Sequence, residues 1–347
     1  MSAGKRHLRC GALSIGWRPR AVLLALGLVA IALTLAVLLM GTGTIALSPA
    51  EVLASLTGTG DDPMAARVVQ RIRLPRVATA ALVGAALGMA GAVFQSLSRN
   101  ALGSPDVIGF TTGAATGAIA QIILFNAGAA QTATAAVASG LMTAAIVMLL
   151  ARKDGSTGGY RLILIGIGVG AILTGLNTLL MVKGDLDQAI SAQIWLAGSL
   201  SARSWAHALP VLVGLILFAP LVVLNARRLA MLEMGDDLAS QLGIRPERTR
   251  LLLVLAAVGL TAVATAATGP IAFVALAAPQ LARRLSRAPE VPVVTGALAG
   301  AVLLLAADLI SQRAPLNLML PIGLTTGALG GAYLVWMLTR APGTAGR

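Results

Sequence analysis

Arginine is the residue type with the most chemical reach in this chain. Arg67, Arg71, Arg73 and Arg76 fall within ten positions, and Arg313 stands apart near the C-terminal end. A guanidinium pairs bidentately with a carboxylate, so such a cluster suits an acidic partner surface. Anchoring to lipid headgroups is the alternative. Other reactive groups are sparse. The lysines are Lys5, Lys153 and Lys183, and none sits in a Gly-x-x-x-x-Gly-Lys-Ser/Thr context. The chain therefore carries no P-loop with which to hydrolyse ATP itself. Ser201 and His207 share a polar stretch, but their spacing specifies no nucleophile–base pair. Cys10 is the single cysteine, and His7 and His207 lie far apart. No intrachain disulfide, zinc spacing or other metal site is expected.

The elements that must position these groups are membrane helices. The chain has 347 residues, 57% hydrophobic and 11% charged, with a mean hydropathy of +0.87. Soluble domains carry roughly 25% charged residues. The composition is that of an all-α polytopic membrane protein, one transmembrane domain over 1–347. The 39 glycines let helices approach closely. A net charge of +13 reads as basic loops on the inner face of a membrane, not as nucleic-acid binding.

About ten spans can be placed, with both termini cytoplasmic. They are 21–40, 77–94, 107–125, 132–150, 162–182, 209–224, 251–267, 271–281, 293–310 and 321–338. Residues 1–20 form a basic cytoplasmic tail, and the first apolar run is retained, being too long for a cleaved signal. Of 26 Lys and Arg, seven fall outside: Arg67, Arg71, Arg73, Arg76, Lys183, Arg203 and Arg313. That asymmetry fixes the orientation, and the arginine cluster is its exception. Ser48-Pro49-Ala50-Glu51 predicts a short outer helix, with Ser as N-cap and Pro at its first position. Asp308 is the acidic residue that falls clearly within a span. Ion coupling, snorkelling and helix pinning are the options, and helix pinning or snorkelling fits best.

The inner segment 225–250 alternates leucine with charge. It predicts two short amphipathic helices broken at Gly235, with Asp236 and Asp237 in the first turn of the second. An apolar stripe there must pack on a partner or on its own bundle. Weakly polar residues within spans three, five and ten (Thr111, Thr112, Thr116, Asn177, Thr325 and Thr326) suit a path lined by small groups.

Five sets of residues, in order, carry a family resemblance. They are Arg73-Leu74-Pro75-Arg76; Gln95 with Arg99, Asn100, Pro105 and Gly109; Gly235, Ala239, Leu242 and Gly243; Gly269-Pro270-Ile271-x-Phe273-Val274 through Pro279 and Arg283; and Leu320-Pro321-Ile322-Gly323. With these the chain resembles the permease subunits of ABC importers for iron–siderophore complexes, vitamin B12 and haem, most closely the ferric enterobactin type. The resemblance implies a type II importer permease fold in the bacterial inner membrane. It implies a second permease subunit (paralogue or identical), two ATPase subunits that hold ATP and magnesium, and an extracytoplasmic substrate-binding protein. It also implies site residues: Arg73, Arg76 and Arg313 for docking of the binding protein, Asn100 and Leu102 at a cytoplasmic gate, and Leu232, Gly235, Asp236, Asp237, Ala239, Leu242 and Gly243 for coupling to the ATPase. Two positions depart from the family pattern. Ala101 stands where proline is usual, and Gln280 where histidine is usual. The expected function is import of a ferric siderophore by alternating access. B12 or haem cargo is the first alternative. A secondary transporter and an intramembrane enzyme are the others.

Overall fold

The structure, a computed structural model, describes residues 6–10, 13–60, 62–105, 109–152, 159–287, 291–314 and 320–339. The expected start of the third span at Val107, the inner-face marker Lys153 and the tail arginines Arg340 and Arg347 lie outside these residues.

A two-stranded hairpin, β1 (Arg6–Cys10) and β2 (Leu13–Trp17), precedes the first helix. It is the one departure from an all-helical chain among the described residues, and the basic tail did not suggest it. Helices follow in order: α1 (Pro19–Gly41), α2 (Pro49–Thr57), α3 (Pro63–Val68), α4 (Leu74–Ser98), α5 (Phe110–Phe125), α6 (Ala129–Ala151), α7 (Gly159–Lys183), α8 (Leu186–Leu196), α9 (Trp205–Leu224), α10 (Ala226–Glu233), α11 (Asp236–Gln241), α12 (Pro246–Thr268), α13 (Val274–Ser286), α14 (Val293–Gln312) and α15 (Ile322–Thr339). Each of the ten expected spans coincides with one of these helices. Among the described residues seven helices are long and apolar enough to cross a membrane, counting Pro63–Ser98 as one, and α5 and α15 are shorter apolar helices.

Helix α13 is different. Its 13 residues reach only about 20 Å at 1.5 Å per residue, short of a bilayer core of about 30 Å. The span expected from Ile271 starts at Val274 because Gly269 (φ 73°) and Phe273 (φ 67°) are held in left-handed conformations, and Pro270 has no N–H to give a helix. Irregular backbone at membrane depth is tolerated where it lines a cavity or is buried in protein. Residues Gly269–Phe273 do line one, as described below.

The Ser48 cap forms as expected. Its hydroxyl accepts from the Glu51 N–H at 3.3 Å, and the Glu51 carboxylate accepts from the Ser48 N–H at 2.6 Å. These bonds hold the exposed Glu51 carboxyl below its usual range, the backbone bond most of all.

The arginine cluster sits on helix, not in a loop. Helix α3 runs into α4 through a π-helical turn, Val69–Arg73, whose i→i+5 bond runs from the Leu74 N–H to the Val69 carbonyl. Pro75 is the physical reason. It donates no hydrogen bond, and its ring crowds the carbonyl four residues back, so the turn widens upstream without breaking the helix.

The core is built on α4 crossing α14. Gly84 lies against Gly300 and Gly88 against Gly296, so close that a Cβ on any of the first three would meet the opposite backbone. Gly84/Gly88 and Gly296/Gly300 are two Gly-x-x-x-Gly pairs facing each other, the small-residue geometry that membrane helices use for contact. Helix α4 buries most of its circumference, including Ala80, Val83, Ala86, Ala90 and Val93. In contrast α7 leaves Ile167, Ile172, Leu179 and Val182 exposed, as a helix that meets lipid or another subunit would.

Candidate functional site

The end of the α4–α14 crossing that the charge pattern places outside gathers the arginines. Arg76 donates from Nε and Nη2 to the two carboxylate oxygens of Asp308, at 3.1 and 2.6 Å. Asp308 is fully buried, and Gln312 Nε2 donates to it at 3.0 Å. A carboxylate out of water needs this pairing. Asp308 is thus a helix-pinning residue, joining α14 to α4. Arg73 reaches the other way. Its Nη1 donates to the Met40 carbonyl at 2.6 Å and its Nη2 to the Ile45 carbonyl, both at the outer end of α1, where helix carbonyls lack intrahelical partners. Arg313 Nη2 donates to Thr42 Oγ1 at 3.2 Å. Of the three arginines assigned to docking, Arg73 and Arg313 therefore bond to the 39–45 segment, and Arg76 bonds to Asp308 beside it. Arg73, Arg76 and Gln312 line a cleft of about 390 Å³ there. Arg73 and Arg76 are half-buried and spend much of their bonding capacity within the chain, whereas Arg67 and Arg71 stand exposed on the same face.

The inner end of α4 carries the second cluster. Arg99 caps the helix at φ 49°. Asn100 builds the turn that follows: its Oδ1 accepts from the Leu102 N–H at 2.9 Å, and its carbonyl accepts from Gly103. Leu102 stands exposed. The two departures noted in the sequence meet here, since Gln280 Nε2 donates to the Ala101 carbonyl at 2.5 Å. Gln95 Nε2 likewise donates to the Leu276 carbonyl at 2.8 Å. The Gln280 bond thus ties the turn to α13, and the Gln95 bond ties the end of α4 to it.

The 225–250 segment forms the two helices expected, α10 and α11, broken at Gly235 with φ 119° and ψ 152°, a conformation that glycine allows and other residues resist. Leu229, Leu232 and Ala239 are buried in the chain's own bundle, while Leu238, Leu242 and Asp237 are exposed. Of the residues assigned to coupling, Leu232 and Ala239 therefore hold the segment down, and the exposed ones form its outer face. Asp236 does more than complement a helix dipole. Both its oxygens accept from Arg250 Nη2 at 2.8 Å, and Arg99 Nη2 approaches it at 3.3 Å. Arg250, buried at the start of α12, also donates to Glu247 at 3.0 Å. Across the break, Glu233 accepts from Arg283 at 3.0 Å.

Between the two clusters lies a cavity of about 130 Å³ walled by Thr111, Thr261, Thr265 and the 269–273 turn. Of the six residues proposed for a path, Thr111 alone lines it. The Thr116 hydroxyl bonds to Thr112, and those of Thr325 and Thr326 bond to Pro321 and Gly323. Asn177 Oδ1 is buried without a partner. The described residues of this chain thus do not bring the six together. Thr261 and Thr265 were passed over because they sit in an otherwise apolar α12, where only the fold distinguishes the cavity side. The Ser201–His207 pairing does not form either. His207 Nδ1 faces Ser204 Oγ at 3.2 Å as part of the α9 cap, and Arg203 lies 3.2 Å from Nε2. A cation beside the imidazole disfavours a general base. No group of three or more potential metal ligands occurs among the described residues.

Comparison with known proteins places this architecture. The chain is 47% identical over 297 residues, 86% of its length and 89% of the relative's, to the ferric enterobactin transport system permease protein FepG of Escherichia coli (strain K12). It is 38% identical over 317 residues, 90% of each chain, to the achromobactin transport system permease protein CbrC of Dickeya dadantii (strain 3937). It is 33% identical over 322 residues, 92% of this chain and 95% of the relative, to the Fe(3+)-citrate import system permease protein YfmE of Bacillus subtilis (strain 168). Among solved structures, a metal-chelate type ABC transporter in an inward-facing conformation superposes with a TM-score of 0.83 at 28% identity, covering 92% of this chain and all of that one. A family model matches residues 28–340, and with that span of match the chain belongs to the FecCD transport family.

Proposed function

We propose that the chain is one permease subunit of an ATP-driven importer that carries a ferric siderophore of the enterobactin type into the cytoplasm of a bacterium. The observation that carries this reading is the 47% identity, over most of both chains, to a ferric enterobactin permease. In it the helices cross the inner membrane ten times with both termini inside. A second permease subunit, paralogue or identical, completes the path. Two ATPase subunits bind the exposed face of 226–243 through Leu238 and Leu242 and supply nucleotide chemistry that this chain lacks. A substrate-binding protein presents carboxylates to the outer arginines. The turn at Asn100 and Leu102 closes the cytoplasmic side.

The docking assignment needs refinement. Arg73 and Arg76 hold α1, α4 and α14 together, and Arg67 and Arg71 have the exposure a partner requires. Arg73 and Arg76 then act partly as the rigid base of the patch. The other curated relatives above support a second reading, in which another iron chelate is the cargo; B12 and haem stand behind it.

The test is uptake of ferric enterobactin by cells lacking the chain, rescued by wild type or by Arg67→Glu with Arg71→Glu. Wild-type rescue, with loss of uptake by the reversed pair at equal membrane level, supports both cargo and docking face. Normal uptake without the chain, in cells with no compensating paralogue, overturns the cargo, and ferric citrate, B12 and haem are tried next.

A further inference from the structure

The inner polar groups form two continuous routes from the coupling segment to the gate turn. The first starts after the Gly235 break. Asp236 is gripped by the buried Arg250 with both oxygens at 2.8 Å and reaches Arg99, the capping residue of the turn, at 3.3 Å. The second starts before the break. Glu233 accepts from Arg283 at 3.0 Å, and three residues earlier on the same helix Gln280 holds the Ala101 carbonyl at 2.5 Å. Both end on the turn that presents Leu102. The links made by Arg99 and Arg283 are open, with side-chain exposure of 50% and 46%, and ion pairs this open add little to stability. The Asp236–Arg250 link is firmer, because the Arg250 side chain is buried. Asp237, adjacent and exposed, has no such link among the described residues. The arrangement is thus selective: one aspartate of the pair faces outward, and the other is tied inward to the turn.

We propose that Asp236 and Glu233 are positioning residues that make the coupling segment and the turn 99–103 move together, so that a displacement of α10–α11 is delivered to Leu102. This rests on the reading of 226–243 as the ATPase contact and of 99–103 as the gate. A chain of bonds transmits motion only if the linked elements change position as one. The ion pairs fix the distance between them, and the Gly235 break lets α10 and α11 each follow its own anchor.

The test uses the assembled transporter, with its ATPases, in inside-out membrane vesicles. Cys10 is replaced by serine, and Leu102→Cys serves as reporter. Labelling by an impermeant maleimide is followed without nucleotide and after trapping ATP with vanadate. In the parent the labelling rate is expected to change about fivefold or more on trapping. Asp236→Asn should cut that change, per nucleotide trapped, to about twofold, and Glu233→Gln with Asp236→Asn should abolish it. Asp236→Glu should restore most of it. Full reporter response in the double variant overturns the proposal. So does a parallel loss of nucleotide trapping, which would mean that the two acids only hold the ATPase. A parent that assembles but traps no nucleotide fails differently: the ATP-driven reading itself then falls, and the proposal with it.

Discussion

The two ends of α4 use the same chemistry for opposite purposes. At the outer end a carboxylate with no exposure, Asp308, is enclosed by Arg76 and Gln312 between α4 and α14. At the inner end a carboxylate with 36% side-chain exposure, Asp236, is shared between Arg99 and Arg250 at the edge of short helices. Water explains the difference. A desolvated pair cannot be opened without leaving an uncompensated buried charge, so the outer pair is a permanent fastener. The Arg99–Asp236 pair, open on both sides, exchanges its partner for hydration at little cost, so it can take part in a moving linkage, while the buried Arg250 stays held by Asp236 and Glu247. Rigidity at one end and mobility at the other is what a helix needs if it is to be fixed beneath a docking surface and yet move a turn on the opposite side.

The comparison can be broken most severely at Asp308. Asp308→Ala leaves Arg76 without its partner, and a loss of about 3–5 kcal/mol is expected, visible as a lowered unfolding temperature in detergent and reduced membrane accumulation. Asp308→Asn should be milder, because its amide oxygen still accepts. Next comes the crossing itself. Gly88→Leu forces α4 away from Gly296, with an expected cost of about 1–3 kcal/mol for overpacking, read by the same unfolding measurement. Asp236→Asn should cost about 1 kcal/mol, because the amide oxygen and Glu247 still accept from the buried Arg250, and its signature is transport lost while protein level holds. A drop in stability as large as that of Asp308→Ala would erase the distinction between the two ends. Smallest in stability is Arg67→Glu with Arg71→Glu, expected to leave unfolding within about 0.5 kcal/mol of wild type while uptake falls about tenfold. If that pair destabilises the protein as Asp308→Ala does, the exposed arginines belong to the fastener too.

Much of this was legible residue by residue. The helix at Pro49 and the break at Gly235 each follow from a local rule: a serine cap with glutamate at N3, and a glycine between two amphipathic runs. For Asp308 the sequence left snorkelling and pinning open, and its partner Arg76 decided between them. The Gly84/Gly88 and Gly296/Gly300 pairs also stood in the sequence as a recognised contact pattern, but Gly113/Gly117, Gly166/Gly170 and Gly323/Gly327 share it, so only the fold shows which of them meet. What stayed hidden was how the arginines divide their bonds. Arg73 and Arg71 look alike in sequence, but one faces the end of α1 and the other faces water. The π turn ahead of Pro75 was equally hidden, since a proline signals disruption without saying whether the helix stops or widens.

By itself the sequence determined the membrane class and the approximate place of the apolar helices, because apolar length, glycine and proline act over a turn or two of chain, and its motifs carried the family resemblance. Tertiary structure alone decided that Arg76 meets Asp308 across 232 positions, and that Gln280 meets Ala101 across 179. It also decided that Leu232 and Ala239 face inward while Leu242 faces out. The physical reason is that a hydrogen-bonding group will accept many chemically equivalent partners, and only the packing of the helices brings one of them within about 3 Å.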